Sequence, residues 1–319
     1  MKVAVLSFAH ERAETYARLL HALPDVELVV ADPDGAARGR DTGPAYAESW
    51  DEVFAQRPDA VIVTAGTGRR RELVERAAAA GAHVLCEHPL ASDESDAEAM
   101  VRACADAGVR LSLASPACYG PAFAAVHKQI ADGEVLGGLT TVHGACTGPR
   151  PAQGGALDTH APALLDMVDV LLDGTAAEQV YAQTNSVLST APDVESAALV
   201  TVRYADGTVV SLDCSWSVDG DTSATAGPTL SVIGDKASLE FTAWPRLLGG
   251  YDAAGSREHW VTRGDDPYAV MLGAFLAAVR DGNAAGPDGA TGLRTLRIIQ
   301  AARESARTGQ PVEVAVPVP

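Results

Sequence analysis

Short apolar runs alternate with helical segments over the first 115 residues, and this alternation constrains the fold more than any other feature. The runs are mostly apolar throughout, as expected for strands that are buried on both faces of a sheet. They lie at residues 2–6, 26–31, 60–64, 83–86 and 109–113. Strands that alternate with helices predict an α/β fold with a Rossmann-type, doubly wound parallel sheet. Ligands of such sheets bind at the carboxyl ends of the strands.

The second half of the chain has a different pattern. After a helix that begins at Pro121 and another near residue 160, strand candidates follow one another, some separated only by short turns. Because short turns join antiparallel neighbours, we predict a C-terminal α/β domain with a large, mostly antiparallel sheet. The candidates lie at residues 179–185, 197–204, 208–216, 228–233 and 237–242. We place the domains at residues 1–118 and 119–319.

The strand at residues 197–204 predicts the assembly of the protein. It has apolar residues on both faces, with Ala198, Val200 and Val202 on one face and Ala197 and Leu199 on the other. A sheet with helices on one face leaves its other face to be covered. We therefore expect a homodimer or homotetramer built through this sheet.

Charge and cysteine content exclude several classes of partner. The 24 basic and 42 acidic residues give a net charge of −18, which repels phosphate backbones and anionic lipid, so we expect no nucleic acid or membrane partner. The five cysteines are scattered and form no C-x-x-C, which argues against disulfides and zinc and fits a reducing cytoplasm. The apolar run at the start is too short for a signal peptide or a membrane span. We expect a cytoplasmic protein.

The turn after the first strand lacks the usual signature of a dinucleotide site, G-x-G-x-x-G. Here the chain reads Ser7-Phe8-Ala9-His10-Glu11-Arg12-Ala13, with no glycine. Small side chains could still allow a dinucleotide to approach, or the domain has lost its nucleotide. Asp32 ends the second strand, where a carboxylate either binds a ribose diol and repels a 2′-phosphate or caps the turn. We favour the first role for Asp32, and hence NAD over NADP.

One segment resembles a family signature. Gly81-Ala-His-Val-Leu-Cys-Glu-His-Pro-Leu-Ala91 is similar to the A-G-K-H-V-x-C-E-K-P-L-A motif of the Gfo/Idh/MocA family, named for glucose–fructose oxidoreductase and inositol dehydrogenase. Further segments resemble that family at Thr64–Gly66, Ala131–Glu134, Gly154–Asp158 and Gly234–Glu240. We identify the chain as a divergent member of the family.

The resemblance implies a Rossmann domain, an α/β domain for substrate binding and oligomerisation, and NAD(P)-dependent oxidation or reduction of a hydroxyl-bearing carbon. The implied substrate is a small polyol, sugar or related compound, and the expected cofactor is NAD. The residues expected to bind this cofactor are Ser7, Phe8, Ala9, His10, Asp32, Thr64, Ala65, Gly66, Glu87 and His88.

Two departures from the family pattern concern the catalytic residues. His88 replaces the lysine of E-K-P, and it either transfers the substrate proton or packs at the strand end. The family pair D-x-x-x-H is replaced by Asp158 and His160, which are two residues apart. We expect His160 at a helix entrance, neutral and acting as the base, with Asp158 orienting it. An ungapped alignment instead places Pro162 at the position of the base and leaves none.

Two other functions are open at this point. A catalytically degenerate member could bind a ligand for sensing or assembly, which would explain all of the departures together. A metal-assisted hydrolase or lyase could draw its ligands from five side chains, but no short metal-binding spacing supports this, and we predict no metal site. Those side chains are His10, Glu87, His88, Asp158 and His160. We interpret Arg69–Arg71 as a solvated helix start rather than an anion site.

Overall fold

The computed structural model describes most of the chain, in two units defined by their internal contacts. The described residues are 1–33, 35, 43–148, 150, 154–191, 193–216, 227–244, 246–252, 257–283 and 286–314. One unit contains Met1–Ser115 with Tyr268–Leu296, and the other contains Pro116–Pro267 with Arg297–Pro319. The predicted second domain, residues 119–319, thus includes a segment that groups with the first unit.

The first unit contains a six-stranded, wholly parallel sheet in the order β3-β2-β1-β4-β5-β6. Its strands are β1 (Lys2–Leu6), β2 (Glu27–Ala31), β3 (Ala45–Ala47), β4 (Ala60–Val63), β5 (His83–Cys86) and β6 (Leu111–Leu113). The helices between them are α1 (Ala13–His21), α2 (Trp50–Ala55), α3 (Thr67–Ala79) and α4 (Glu94–Asp106). This is the Rossmann order, and the chain reverses direction across the sheet between β1 and β4. The predicted fold class is confirmed for this half.

The second unit contains a seven-stranded mixed sheet in the order β12-β11-β7-β10-β9-β8-β15, in which β7 and β10 are the one parallel pair. Its elements from residue 121 to residue 242 are α5 (Pro121–Asp132), β7 (Leu139–Gly148), α6 (Ala156–Thr159), α7 (Ala161–Leu171), β8 (Ala177–Asn185), β9 (Ala197–Tyr204), β10 (Val209–Trp216), β11 (Thr229–Gly234) and β12 (Ser238–Thr242). The predicted large, mostly antiparallel sheet is confirmed.

The remaining elements complete both units. They are β13 (Arg246–Asp252), β14 (Arg257–Arg263), α8 (Pro267–Asp281), α9 (Gly289–Thr308) and β15 (Val312–Glu313). β13 and β14 pair as a separate antiparallel ribbon that the sequence pattern did not predict.

The two faces of β9 differ in burial. Ala198, Val200 and Val202 belong to the hydrophobic core of the second unit, to which α7 also contributes. On the opposite face, Leu199 is 56% exposed and Thr201 and Arg203 are exposed as well. Among the described residues, β9 therefore has one buried and one exposed face.

Candidate functional site

The carboxyl ends of the parallel strands bring the residues expected to bind a cofactor to one edge of the first sheet. The Thr64 hydroxyl, after β4, donates to the Ser7 carbonyl at 2.7 Å. The His10 N–H donates to the Thr64 carbonyl at 3.1 Å, and the Glu87 N–H donates to Val63 at 3.1 Å. The segments that follow β1, β4 and β5 are thereby tied together.

The first turn keeps an unusual backbone conformation although it contains no glycine. Ser7 has a φ of +75°, a left-handed conformation that glycine adopts most easily. Its hydroxyl lies 3.3 Å from the Asp32 carboxylate and accepts the Ala9 N–H at 3.2 Å. The same carboxylate oxygen of Asp32 accepts the Phe8 N–H at 3.1 Å. Asp32 is buried, and it holds this turn in place.

Glu87 is the centre of a buried polar cluster at this edge. Its carboxylate accepts the Tyr16 hydroxyl and lies 3.7 Å from the Arg12 guanidinium and 3.9 Å from the His10 ring. Burial opposes ionisation, but the charge of Arg12, together with His10 and the Tyr16 hydrogen bond, lowers the pKa of Glu87 below its usual value. The Arg12 guanidinium also stands over the Tyr268 ring, 5.5 Å from its centroid. Glu87 is therefore a buried carboxylate.

His10 takes part in this cluster as a neutral ring. Its Nδ1 accepts the Arg12 N–H at 3.3 Å. Burial lowers the pKa of His10, and the attraction of Glu87 only partly opposes that effect. Since Nδ1 is the acceptor, the neutral ring carries its proton on Nε2.

Arg70 has a structural role that the sequence interpretation missed. It is buried, and its guanidinium donates to the carbonyls of Ala65 at 2.9 Å, of Glu87 at 2.8 Å and of Pro89. The interpretation of Arg69–Arg71 as a solvated helix start is therefore wrong for Arg70. It holds for Arg69, which pairs with Glu72 on the surface. A sequence signal did exist, since Arg70 shares a helical face with the buried Leu73, Val74 and Ala77.

His88 follows Glu87 at the same edge and is partly buried. Its N–H donates to the Glu87 carboxylate at 3.3 Å, and the bond to Pro89 is cis. The position agrees with the expectation that β5 ends where ligands of such sheets bind. The proton-transfer role of His88 stays a prediction.

The second unit places His160 between α6 and α7, as expected for a helix entrance. Its Nδ1 lies 3.8 Å from the Cys146 sulfur, and its Nε2 is buried without a hydrogen-bond partner among the residues described. Burial lowers the pKa of His160, so the expected neutral form is retained, with burial rather than helix-end N–H groups as the cause.

Asp158 does not orient His160, contrary to our expectation. Its carboxylate pairs with Arg303 and accepts the Gly155 N–H at 3.4 Å, which caps α6. Two positions apart at a helix start, the two side chains diverge, as the turn of a helix requires. The neighbour of the His160 ring is Cys146, on β7, which the sequence analysis did not include.

The described residues contain no group of three or more His, Cys, Asp or Glu side chains arranged to hold a metal ion. Their helices also include none that is both long and apolar enough to cross a lipid bilayer. All five cysteines lie within the described residues, are buried and form no disulfide.

Comparison with known proteins identifies relatives over nearly the whole chain. D-apiose dehydrogenase of Paraburkholderia graminis is 26% identical and aligns over 92% of this chain and 86% of its own length. Inositol 2-dehydrogenase of Rhizobium meliloti is 25% identical over 81% of both chains. Among solved structures, GenD2 from gentamicin A biosynthesis in complex with NAD superposes with a TM-score of 0.86 over 99% of this chain and 97% of its own, at 24% identity. A myo-inositol dehydrogenase from Corynebacterium glutamicum superposes with a TM-score of 0.80 over 99% of both chains, at 25% identity.

Family models match both halves of the chain. Residues 4–115 match the oxidoreductase family's NAD-binding Rossmann fold, and residues 145–314 match its C-terminal alpha/beta domain. The two matches cover most of the sequence, and the chain therefore belongs to the Gfo/Idh/MocA oxidoreductase family.

Proposed function

We propose that this oxidoreductase uses NAD to oxidise, or NADH to form, a secondary alcohol in a small polyol or sugar. The observation that carries the proposal is the polar edge built by Ser7, Asp32, Thr64 and Glu87 in the domain that matches the NAD-binding fold. Relatives named as D-apiose and inositol dehydrogenases support the substrate class.

The residues at this edge fit a dinucleotide. Ser7 keeps the left-handed backbone of the turn, and Ala9 is small and exposed. Gly66, at the start of α3, has open space where a side chain would project. The proposal assigns cofactor binding to Ser7, Phe8, Ala9, His10, Asp32, Thr64, Ala65, Gly66, Glu87 and His88. When bound, the nicotinamide ring accepts or supplies the hydride.

Asp32 supports NAD rather than NADP. One carboxylate oxygen of Asp32 accepts the Phe8 N–H and lies within hydrogen-bond distance of the Ser7 hydroxyl. The other oxygen lies so close to Gly35 that a Cβ added to this glycine would be 2.1 Å from it. A carboxylate here binds a ribose diol and repels a 2′-phosphate. Titration of wild type and Asp32→Ala with NADH and NADPH tests this preference. Tighter binding of NADPH by the wild type would contradict it.

The proposal gives proton transfer at the substrate oxygen to His88 and treats His160 as a second candidate base. Both rings are partly buried, and burial keeps His160 neutral and able to accept a proton. No residue is proposed to orient His160, since Asp158 is engaged by Arg303.

The alternative functions are not favoured. Both family matches describe an oxidoreductase, and the curated relatives are named dehydrogenases. A metal-assisted hydrolase or lyase lacks a ligand cluster among the described residues. A ligand-binding protein without activity is not required by the glycine-free turn, because Ser7 supplies the backbone conformation.

The proposal includes a homodimer or homotetramer in the cytoplasm. The uncovered face of β9 and its neighbours exposes Tyr181, Leu199 and Val209, which a second copy would bury. Cysteines that form no disulfide are compatible with a reducing compartment. Light scattering at micromolar concentration should give at least twice the chain mass of 32.9 kDa, and a monomer would contradict the assembly.

The test of the function has two stages. NADH should bind to the purified protein with a change in its fluorescence. NAD should then be reduced in the presence of a polyol or sugar from a panel that includes myo-inositol and D-apiose. Failure to bind NADH at all would overturn the proposal, whereas binding without turnover on the panel would overturn the substrate class.

A further inference from the structure

The N–H groups of the first turn are already engaged inside the protein. In a glycine-rich turn, N–H groups at this position and at the helix N-terminus face the pyrophosphate of the dinucleotide. Here four of the five N–H groups from Phe8 to Arg12, all but that of Glu11, have internal acceptors: Phe8 donates to Asp32, Ala9 to Ser7, His10 to Thr64, and Arg12 to the His10 ring. The negative charge of a pyrophosphate must therefore be met by something other than these groups.

Arg12 stands where the third glycine of G-x-G-x-x-G would fall, counting from Ser7, and it is the residue immediately before α1. Its side chain is 35% exposed, and it makes no hydrogen bond to the residues described. The guanidinium is instead held by charge and ring contacts, 3.7 Å from Glu87 and 5.5 Å from the Tyr268 centroid. Its hydrogen-bond donors thus have no acceptor among the described residues and can bind a ligand.

Two arginines, Arg12 and Arg70, act on the Glu87 carboxylate, and Glu11 adds a second negative charge near Arg12. The charges of Arg12 and Arg70 both lower the pKa of Glu87, and burial lowers the pKa of His10 although the charge of Glu87 opposes that effect. The Arg70 guanidinium donates hydrogen bonds to the carbonyls of Ala65, Glu87 and Pro89. Of these two arginines, Arg12 is therefore the one whose hydrogen-bond donors can bind an anion. This matters in a chain whose net charge of −18 otherwise repels anions.

We propose that the Arg12 side chain binds the pyrophosphate of the dinucleotide and replaces the backbone donors of the missing glycine-rich turn. Glu87 and Tyr268 hold the guanidinium in place, and its planar set of donors matches phosphate oxygens. This inference rests on the proposed use of NAD at this edge, but it concerns a residue outside the set assigned to the cofactor above.

The test compares adenosine with ADP, because the two ligands differ by the pyrophosphate alone. Calorimetric titrations use wild type, Arg12→Gln and the matched control Arg18→Gln, which removes an exposed charge from the same helix. Arg12→Gln should weaken the binding of ADP by about 10- to 100-fold, as expected for the loss of hydrogen bonds to a charged group. Its affinity for adenosine should be unchanged, and Arg18→Gln should behave as wild type with both ligands.

Arg12→Lys is a second variant that should fold even if Arg12→Gln does not, because it keeps a positive charge beside Glu87. It should melt close to wild type and bind ADP about 3- to 10-fold more weakly, because an ammonium lacks the planar donor pair. If Arg12→Gln does not fold, the ADP affinity of Arg12→Lys alone tests whether Arg12 binds the pyrophosphate. Wild-type ADP affinity in the folded Arg12 variants would overturn the inference.

The proposed function and this inference fail differently. If wild type binds NADH and the Arg12 variants bind ADP equally well, the cofactor assignment stands and the role of Arg12 is wrong. If wild type does not bind NADH, the proposed function fails and the inference fails with it.

Discussion

The phenol of Tyr16, on α1, donates a hydrogen bond to the buried carboxylate of Glu87, which follows β5. The two residues are 71 positions apart in sequence. Burial and the negative charge of Glu87 both raise the pKa of Tyr16, which keeps the phenol protonated and able to donate. The bond thus joins a helix to the functional edge of the sheet and helps Glu87 to remain ionised.

Tyr16→Phe should lower the free energy of unfolding by about 1.5–3 kcal/mol at pH 7, the range for a hydrogen bond to a charged group. The depressed pKa of Glu87 contributes stability above the ordinary carboxyl value of 4.5, and this contribution is lost as the pH falls through the folded pKa. The difference between variant and wild type should therefore shrink below pH 4.5. Urea unfolding at several pH values measures it.

The control for this prediction is Arg18→Gln, which changes an exposed side chain on the same helix. It should leave the stability nearly unchanged at every pH. Equal losses in both variants would show that the Tyr16 phenol has no special role.

Arg70→Met should destabilise the protein by about 3–5 kcal/mol, because three carbonyl acceptors lose a buried charged donor. The matched control is Arg69→Gln, one residue earlier on α3, which removes an exposed pair with Glu72. Chemical unfolding of both variants should separate them clearly. Similar midpoints for the two would contradict the structural role of Arg70.

The sequence predicts those features that depend on local patterns. Continuous apolar runs identified five of the six parallel strands, because a strand buried on both faces needs no partner to be recognised. The three residues of β3 carry no such pattern and were not predicted. Asp32 was identified because it ends a strand, where ligand sites lie, and Glu87 because it belongs to the segment that resembles the family motif.

Contacts between distant residues could not be predicted in the same way. Nothing near Glu87 in the sequence indicates Tyr16, Arg12 or Tyr268, since the fold alone brings these elements together. The pairing of Asp158 with Arg303 joins residues that are 145 positions apart, and it removed the role that short spacing had indicated. A motif therefore locates a site, whereas its partners follow from the tertiary structure.

His160 gives the protein a pH-dependent stability. Burial lowers its pKa in the folded state, so the unfolded chain binds more protons once the pH falls below the ordinary value of 6.5. Stability should then decrease as the pH falls from 6.5 through the folded pKa, and His160→Gln should remove part of that decrease. The decisive measurement is the slope of unfolding free energy against pH for both proteins.

A comparison at pH 7.5 supplies the control, because the ring is then largely neutral in the folded and unfolded states of wild type. Any difference seen there reports packing around Cys146 and Gly148 alone. Identical slopes in variant and wild type at acidic pH would show that His160 does not contribute. His10 and His83, whose pKa values are lowered mainly by burial, would then account for the decrease.

His88 tests the proposed chemistry most directly. It follows β5 at the ligand edge, its N–H is held by Glu87 at 3.3 Å, and its ring is only partly buried. If the ring transfers the substrate proton, His88→Ala should lower turnover by about 10²- to 10⁴-fold while the melting temperature stays the same. His88→Lys should keep activity, because an ammonium group stabilises an alkoxide.

His21→Ala, which removes an exposed histidine on α1, controls for the loss of a histidine as such. A fall in melting temperature with unchanged turnover per folded molecule would instead make His88 a packing residue, so both quantities are measured on one preparation.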